Sequence, residues 1–196
     1  HPVLVVNKPG AGGILGHQFF LGQPDDGHYL LGTTMMPNLM NNILVGGAPY
    51  DVEDFHFINA QVRQSFVLCV PQDSAYDSAV ALIEAIMAAP GEITTAQNLQ
   101  SGGHLATVVM LDALGLPSDA VRLVTYDGGG APVRAAVAGG QVDFTITSAD
   151  GAAGLLDRIR CLAQFGEESD ERFDAPMIND ALAEAGLPTL PESLMQ

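Results

Sequence analysis

The chain has 196 residues, 47% of them hydrophobic, and carries a formal net charge of −16 from 23 acidic and 7 basic residues. That length and apolar content can bury a sizeable core, in one large domain or two small ones. The charge argues against nucleic-acid binding through phosphates and against long-range steering of anions, and leaves a self-repelling acidic surface.

The opening HPVLVVNKPG has no basic n-region, long apolar segment or cleavage site, and apolar runs such as 66–70 are far too short to span a bilayer, so export cannot be read from the chain. His1 stands directly on a strand-like run, which suggests that the sequence begins inside a domain.

A strand is expected over 3–7, followed by a KPGAGG turn into a helix over about 14–22. A turn at Asp25, Asp26 and Gly27 precedes the strand-like HYLLGTT, and PNLMNNILV reads as a short helix with Pro37 at its start. GGAPYDVEDF is a loop with a few helical acidic residues; 56–62 and 65–70 are rich in β-formers. Asp77 or Ser78 can cap a helix ending near Ala89. A strand over 93–97, a helix over 104–114, strands over 121–126 and 141–147 around a glycine-started helix, a helix over 150–157, a strand over 158–165 and a helix over 179–185 complete the chain. This alternation predicts an α/β architecture with mostly parallel sheet.

Cys69 and Cys161 each lie in an apolar, strand-like run with no CxxC or Cys/His cluster beside them, as expected of two buried thiols. These strands are natural crossings between two lobes: a discontinuous lobe of 1–70 and 163–196, and a continuous lobe of 71–162. Cys69 and Cys161 should then lie on neighbouring strands near the hinge.

Several chemistries fail on spacing. In GAGGILG the third glycine of a dinucleotide fingerprint would fall at Leu15, and no acid ends the next strand-like run. Ser101 and His104 are three residues apart on one local element and lie outside a G-x-S-x-G elbow, so a helix cap fits them better than a catalytic pair. The five histidines form no i, i+4 pair or HExxH, so no metal site and no cofactor are expected. What remains are four small or hydroxyl-rich junctions, GAGG, GTTMMPN, QNLQSGGH and YDGGGAP, each read as joining a strand to a helix. Such junctions offer unpaired backbone N–H groups, hydroxyls and amides, the lining of a site for a small carboxylate.

The motifs NKPGAGG, DGHYLLGTT, PYDVEDFHFI, APGEITTAQNLQSGGHLA, YDGGGAPVRAAVAGGQVDF and EAGLP, collinear over nearly the whole chain, resemble those of the substrate-binding proteins of tripartite tricarboxylate transporters, the Bug-type periplasmic receptors. The resemblance implies a two-lobed α/β fold of the type II periplasmic-binding-protein kind. It implies a non-enzymatic, monomeric protein that captures a di- or tricarboxylate or an aromatic acid in an interdomain cleft and delivers it to membrane transporter subunits. It also implies that this chain lacks the family's first strand and loop and a C-terminal segment.

Carried over, ligand contacts are expected at Thr33 and Thr34, at Gln97, Asn98, Ser101 and His104 within 97–104, at Tyr126, Gly128 and Gly129 within 126–130, and at Thr147 and Ser148. Three positions depart from the family pattern. Asp127 replaces a lysine and is expected to face solvent, Gln97 and Asn98 replace small hydroxyl residues, and Thr147 stands where an acid is frequent, which favours a simple carboxylate over an amino acid. No cationic side chain is required at the site: hydrogen bonds to a charged group at ~1.5–3 kcal/mol each, with roughly 0.3–1 from a helix start, suffice for about micromolar binding. Two alternatives stand beside this reading: an α/β enzyme for an acyl or phosphorylated substrate using Ser101 and His104, and a receptor-like domain without a ligand.

Overall fold

In the computed structural model, residues 2–44, 46–99 and 101–191 are described, without the side chains of Met36 and Pro37. His1, Gln100 within the expected contact stretch 97–104, and the end of the tail at 192–196 lie outside the described residues. The chain divides into two compact units, His1–Val62 and Arg63–Gln196.

The first unit is built on short helical turns. A 3-10 turn at Ala11–Gly13 leads into α1 (Ile14–Leu21), and a π-helical turn at Met35–Leu39 leads into α2 (Met40–Leu44). This second helical stretch starts two residues before Pro37, the start expected from the sequence. Asp51 and Asp54 form a reciprocal capping box around the 3-10 turn Val52–Asp54, so the acids of PYDVEDF satisfy orphan backbone donors. Leu39, Tyr50 and Phe55 form the buried centre, with Ile14, Phe20, Leu21, Leu31 and Ile43 against it.

The strands expected over 3–7, in HYLLGTT and over 56–62 carry no ladder in the structure, and Val3 and Leu4 are 88% and 85% exposed. β-rich composition makes a strand only where a neighbouring strand takes up its N–H and C=O groups. None of the described residues pairs with these runs.

The second unit carries β1 (Phe66–Pro71), α3 (Ala79–Ala88), β2 (Thr94–Gln97), α4 (Gly102–Ala113), β3 (Arg122–Thr125), α5 (Gly130–Ala138), β4 (Thr145–Ser148), α6 (Ala149–Ala153), β5 (Ile159–Phe165) and α7 (Ile178–Glu184). Ser78 caps α3 by accepting from Ala81 N–H at 3.1 Å. β1 lies between β4 and β5 and is antiparallel to both, while β2 and β3 are parallel. A parallel bridge between Thr95 and Phe144 ties the two sets together.

β4 and β5 thus run with β2 and β3, and β1 alone runs against them. The expectation of a mostly parallel sheet holds for strand direction, but the two ladders made by β1 are antiparallel. β1 therefore needs no crossover to either neighbour of the kind a parallel pair requires.

The apolar run FVLCVP reflects helices on both faces of β1. Leu68 and Val70 pack with Leu82 and Ile83 of α3, Met110 of α4 and Ile178 of α7. Val67 and Cys69 pack with Val133 and Val137 of α5 and Ala152 of α6. Cys69 and Cys161 are direct cross-strand partners on β1 and β5, both buried and both free thiols. Burial, followed by the neighbouring Cys161, pushes the Cys69 thiol well above its ordinary range, which keeps it protonated and unreactive.

Candidate functional site

Most of the expected contact residues lie in the second unit, at the ends of β2, β3 and β4 and the starts of the helices that follow. Gln97 closes β2 but is buried, its Nε2 donating to Thr107 Oγ1 at 3.1 Å, and Thr107 donates on to the Gly103 carbonyl at 2.8 Å. Its amide is committed to holding α4. Asn98 reaches sideways instead: its Nδ2 donates to the Tyr126 carbonyl at 2.7 Å, and Tyr126 N–H donates to the Gln97 carbonyl at 2.9 Å. The ends of β2 and β3 are thereby clamped together.

Ser101 is the N-cap of α4 and accepts from the backbone N–H of His104 at 3.2 Å. That is the capping role expected from the spacing. His104 sits half-buried on the first turn, and burial pushes its pKa below the ordinary 6.5. The Tyr126 hydroxyl donates to Gln141 Oε1 at 3.2 Å. Gly128 and Gly129 are exposed with φ of 89° and 84°, a conformation open to glycine at little cost, and Asp127 is exposed between them and Tyr126. Thr147 is 5% exposed and Ser148 half-buried; Ser148 precedes α6 without a side-chain capping bond.

The structure brings one residue to this place that the sequence reading did not name. Arg134, one turn into α5, folds back so that its guanidinium Nη1 donates to Thr147 Oγ1 at 3.4 Å. It can lie there because two glycines leave the space open: a Cβ on Gly130 would come 2.5 Å from Nη1, and one on Gly151 2.4 Å from the guanidinium carbon. The sequence reading required no cationic side chain here, and the fold places one beside Thr147. The cation is a half-buried guanidinium at the head of β4 with one bond to Thr147 among the described residues. Nearby Asp150 is paired with Arg172 at 2.9 Å, so its charge has another partner. The available signal was the i, i+4 pair Gly130 and Arg134; the second glycine, Gly151, is close only in the fold.

In the first unit Thr33 and Thr34 are exposed, and Thr33 Oγ1 lies 2.8 Å from His17 Nε2. His17 is buried, its Nδ1 2.7 Å from the Tyr50 hydroxyl, and burial lowers its pKa as well. Both His17 and His104 thus bind protons less readily folded than unfolded. Below about pH 6.5 the unfolded chain takes up more protons, so the stability they contribute is present above 6.5 and lost as pH falls through that value. Thermal midpoints measured from pH 7.5 down to 5.5 are expected to decline below 6.5, and a flat profile over this range would contradict the direction of both shifts.

Among the described residues no group of histidine, cysteine and acidic side chains could hold a metal ion, and no helix is long and apolar enough to cross a membrane.

Comparison with known proteins gives a consistent result. The TctC family model, described as the tripartite tricarboxylate transporter family receptor, matches residues 1–191. Protein BugT of Bordetella pertussis is 30% identical over 195 residues, covering 95% of this chain and 57% of that protein. A UPF0065 protein in the gbd 5′ region of Cupriavidus necator is 29% identical over 176 residues, covering 88% and 52% respectively. The chain spans about half the length of these curated relatives.

Among solved structures, a periplasmic transporter is 24% identical with a TM-score of 0.79, covering 100% of this chain and 63% of that one. An R. palustris protein with adipate is 24% identical with a TM-score of 0.75, covering 98% and 68%. MatC from Rhodopseudomonas palustris with bound malate is 18% identical with a TM-score of 0.70, covering 95% and 67%. These likenesses bear out the periplasmic-binding-protein type of fold.

Proposed function

Since the chain belongs to the tripartite tricarboxylate transporter receptor family, we propose that it captures a small organic acid outside the cytoplasm, a di- or tricarboxylate or an aromatic acid, and passes it to the membrane subunits of such a transporter. The observation that carries the reading is Arg134, held across Gly130 and Gly151 beside Thr147. A guanidinium fork with spare donors next to a hydroxyl suits a carboxylate, which accepts two parallel N–H bonds from arginine. Gly128, Gly129 and the first turn of α5 add backbone N–H groups to the same place. The structural relatives with adipate and with malate carry ligands of this class.

A binding protein without chemistry is stabilised by its ligand and turns nothing over. Thermal shift with malate, adipate, citrate and benzoate is expected to raise the melting midpoint with at least one of them, saturably. If none shifts it at millimolar concentration, the carboxylate reading falls.

A further inference from the structure

β1 meets β5 in two registers. Phe66, Val67 and Leu68 stand opposite Phe165, Gln164 and Ala163, and a shift of one residue then sets Cys69, Val70 and Pro71 opposite Cys161, Arg160 and Ile159. Without that bulge the ladder would place Leu162, not Cys161, opposite Cys69. The bulge also sorts the side chains. Leu162 packs in the cluster of Leu68 and Leu82, whereas Cys161 joins Cys69 among Val133, Val137 and Ala152. The two thiols therefore share one face of the sheet as direct cross-strand neighbours.

Reach decides whether such a pair can be joined. Residues directly opposed in an antiparallel ladder have Cα atoms roughly 4.5–5.5 Å apart, and a disulfide spans roughly 4.4–6.8 Å. The bond can close with both strands in place. The chain holds two cysteines in all, so one intramolecular pairing exists.

We propose that Cys69 and Cys161 are a structural disulfide site, closed as the chain folds under thiol-oxidising conditions, and that the free thiols of the structure are its reduced form. The bond rests on the reading of the protein as one that works outside the cytoplasm, where disulfides form and persist. The oxidant is another disulfide, small or protein-borne. The Cys161 thiolate attacks one of its sulfurs and expels the other as a thiolate, leaving a mixed disulfide. The Cys69 thiolate then attacks the Cys161 sulfur, forms the Cys69–Cys161 bond and expels the second thiolate. The two cysteines are oxidised, the oxidant is reduced to two thiols, and the protons lost by the cysteines pass to the thiolates released.

Burial sets the timing. In the folded chain Cys69 is 0% and Cys161 8% exposed, with residues of α5 and α6 packed against them, so the exchange has to run before these helices close. Afterwards the same cover keeps reductants out. The segment between the cysteines carries α3 to α6, so the bond ties the unfolded chain into a loop of about 90 residues and lowers its entropy accordingly. It also fixes β1, the strand on which β4 and Thr147 are laddered.

The test refolds the chain from denaturant and reductant in two buffers, one with oxidised and reduced glutathione and one with excess dithiothreitol. Each sample is then alkylated in denaturant and read by intact mass and peptide mapping. The glutathione sample is expected to be a monomer that takes up no alkyl group and has its Cys69 and Cys161 peptides linked, and the dithiothreitol sample to take up two. The linked form should melt about 10 °C higher. Cys69→Ala/Cys161→Ala should melt alike from both buffers; if it does not fold, the mapping and the two wild-type midpoints decide alone.

Two alkylated cysteines from the glutathione buffer would overturn the proposal, as would glutathione adducts or chains linked to one another in place of the intramolecular bond. A link that forms but leaves the midpoint unchanged or lower would overturn it as well, since a bond native to this ladder stabilises it. Neither a ligand nor a compartment enters these readouts. The link can therefore fail while the carboxylate reading stands, and the thermal shift with organic acids can fail while the link stands.

Discussion

Replacing Gly103 by alanine is expected to destabilise the protein by about 3 kcal/mol, more than its neighbour Gly102→Ala. A methyl at Gly103 would lie 2.0 Å from the Ile146 carbonyl oxygen and 2.9 Å from Gln97 Oε1. The first belongs to the backbone of β4, fixed in its ladder with β1, so the strand or the helix start must move.

At Gly102 the added methyl would meet the ring of Phe66 at 2.1 Å, a severe clash with a side chain that can rotate away. Gly103 is thus the point where α4 rests directly on β4, and it holds Ser101 and His104 in place at the head of the helix. Denaturant titration should place the midpoint of Gly103→Ala well below that of Gly102→Ala, with a thermal midpoint lower than wild type by about 5–10 °C. Equal losses at the two positions would show that the helix start floats and that the contact is unimportant.

Arg134→Gln is expected to weaken carboxylate binding about 10- to 100-fold with little change in thermal midpoint, since a charge-assisted hydrogen bond is worth ~1.5–3 kcal/mol. The side chain is half-buried and, among the described residues, bonded only to Thr147 Oγ1 at 3.4 Å, so its loss leaves no charge unpaired. Arg134→Lys should recover part of the affinity, because an ammonium restores the charge but lacks the planar fork that matches a carboxylate. Calorimetric titration with whichever acid stabilises the wild type separates the outcomes. Arg134→Gln within twofold of wild type would remove Arg134 from the site and return binding to backbone N–H groups and hydroxyls.

The two variants separate structure from binding: Gly103 sets where α4 lies, and Arg134 is the proposed ligand contact. Gln97 belongs with Gly103, since its buried amide is tied through Thr107 to the Gly103 carbonyl. Its type at this position, an amide in place of a small hydroxyl residue, is explained by packing under α4.

Much of this was legible in the chain before the fold. Ser78 and Ser101 cap α3 and α4 as read, Asp51 and Asp54 make the acidic turn, and the cysteine strands are neighbours. These signals are local, or rest on a continuous apolar run that suits a strand buried on both faces. The collinear motifs also carried the family, because spacing over the whole chain is a far stricter condition than any single glycine turn.

What the amino-acid sequence alone determined is therefore the capping of α3 and α4, the alternation of elements from residue 66 on and the family. The tertiary structure decided what depends on partners distant in the chain. The runs at 3–7, 28–34 and 56–62 have strand composition, yet a strand exists only when another supplies its hydrogen bonds. β1 runs against its neighbours, a choice of direction that a single strand's composition does not encode. Thr33 meets His17, which in turn meets Tyr50, from separate segments of the chain, and Arg134 reaches Thr147 because Gly130 and Gly151 leave room for its guanidinium. Charge and hydrogen-bonding capacity are written residue by residue, but the geometry that makes them a site arises where separate segments are packed together.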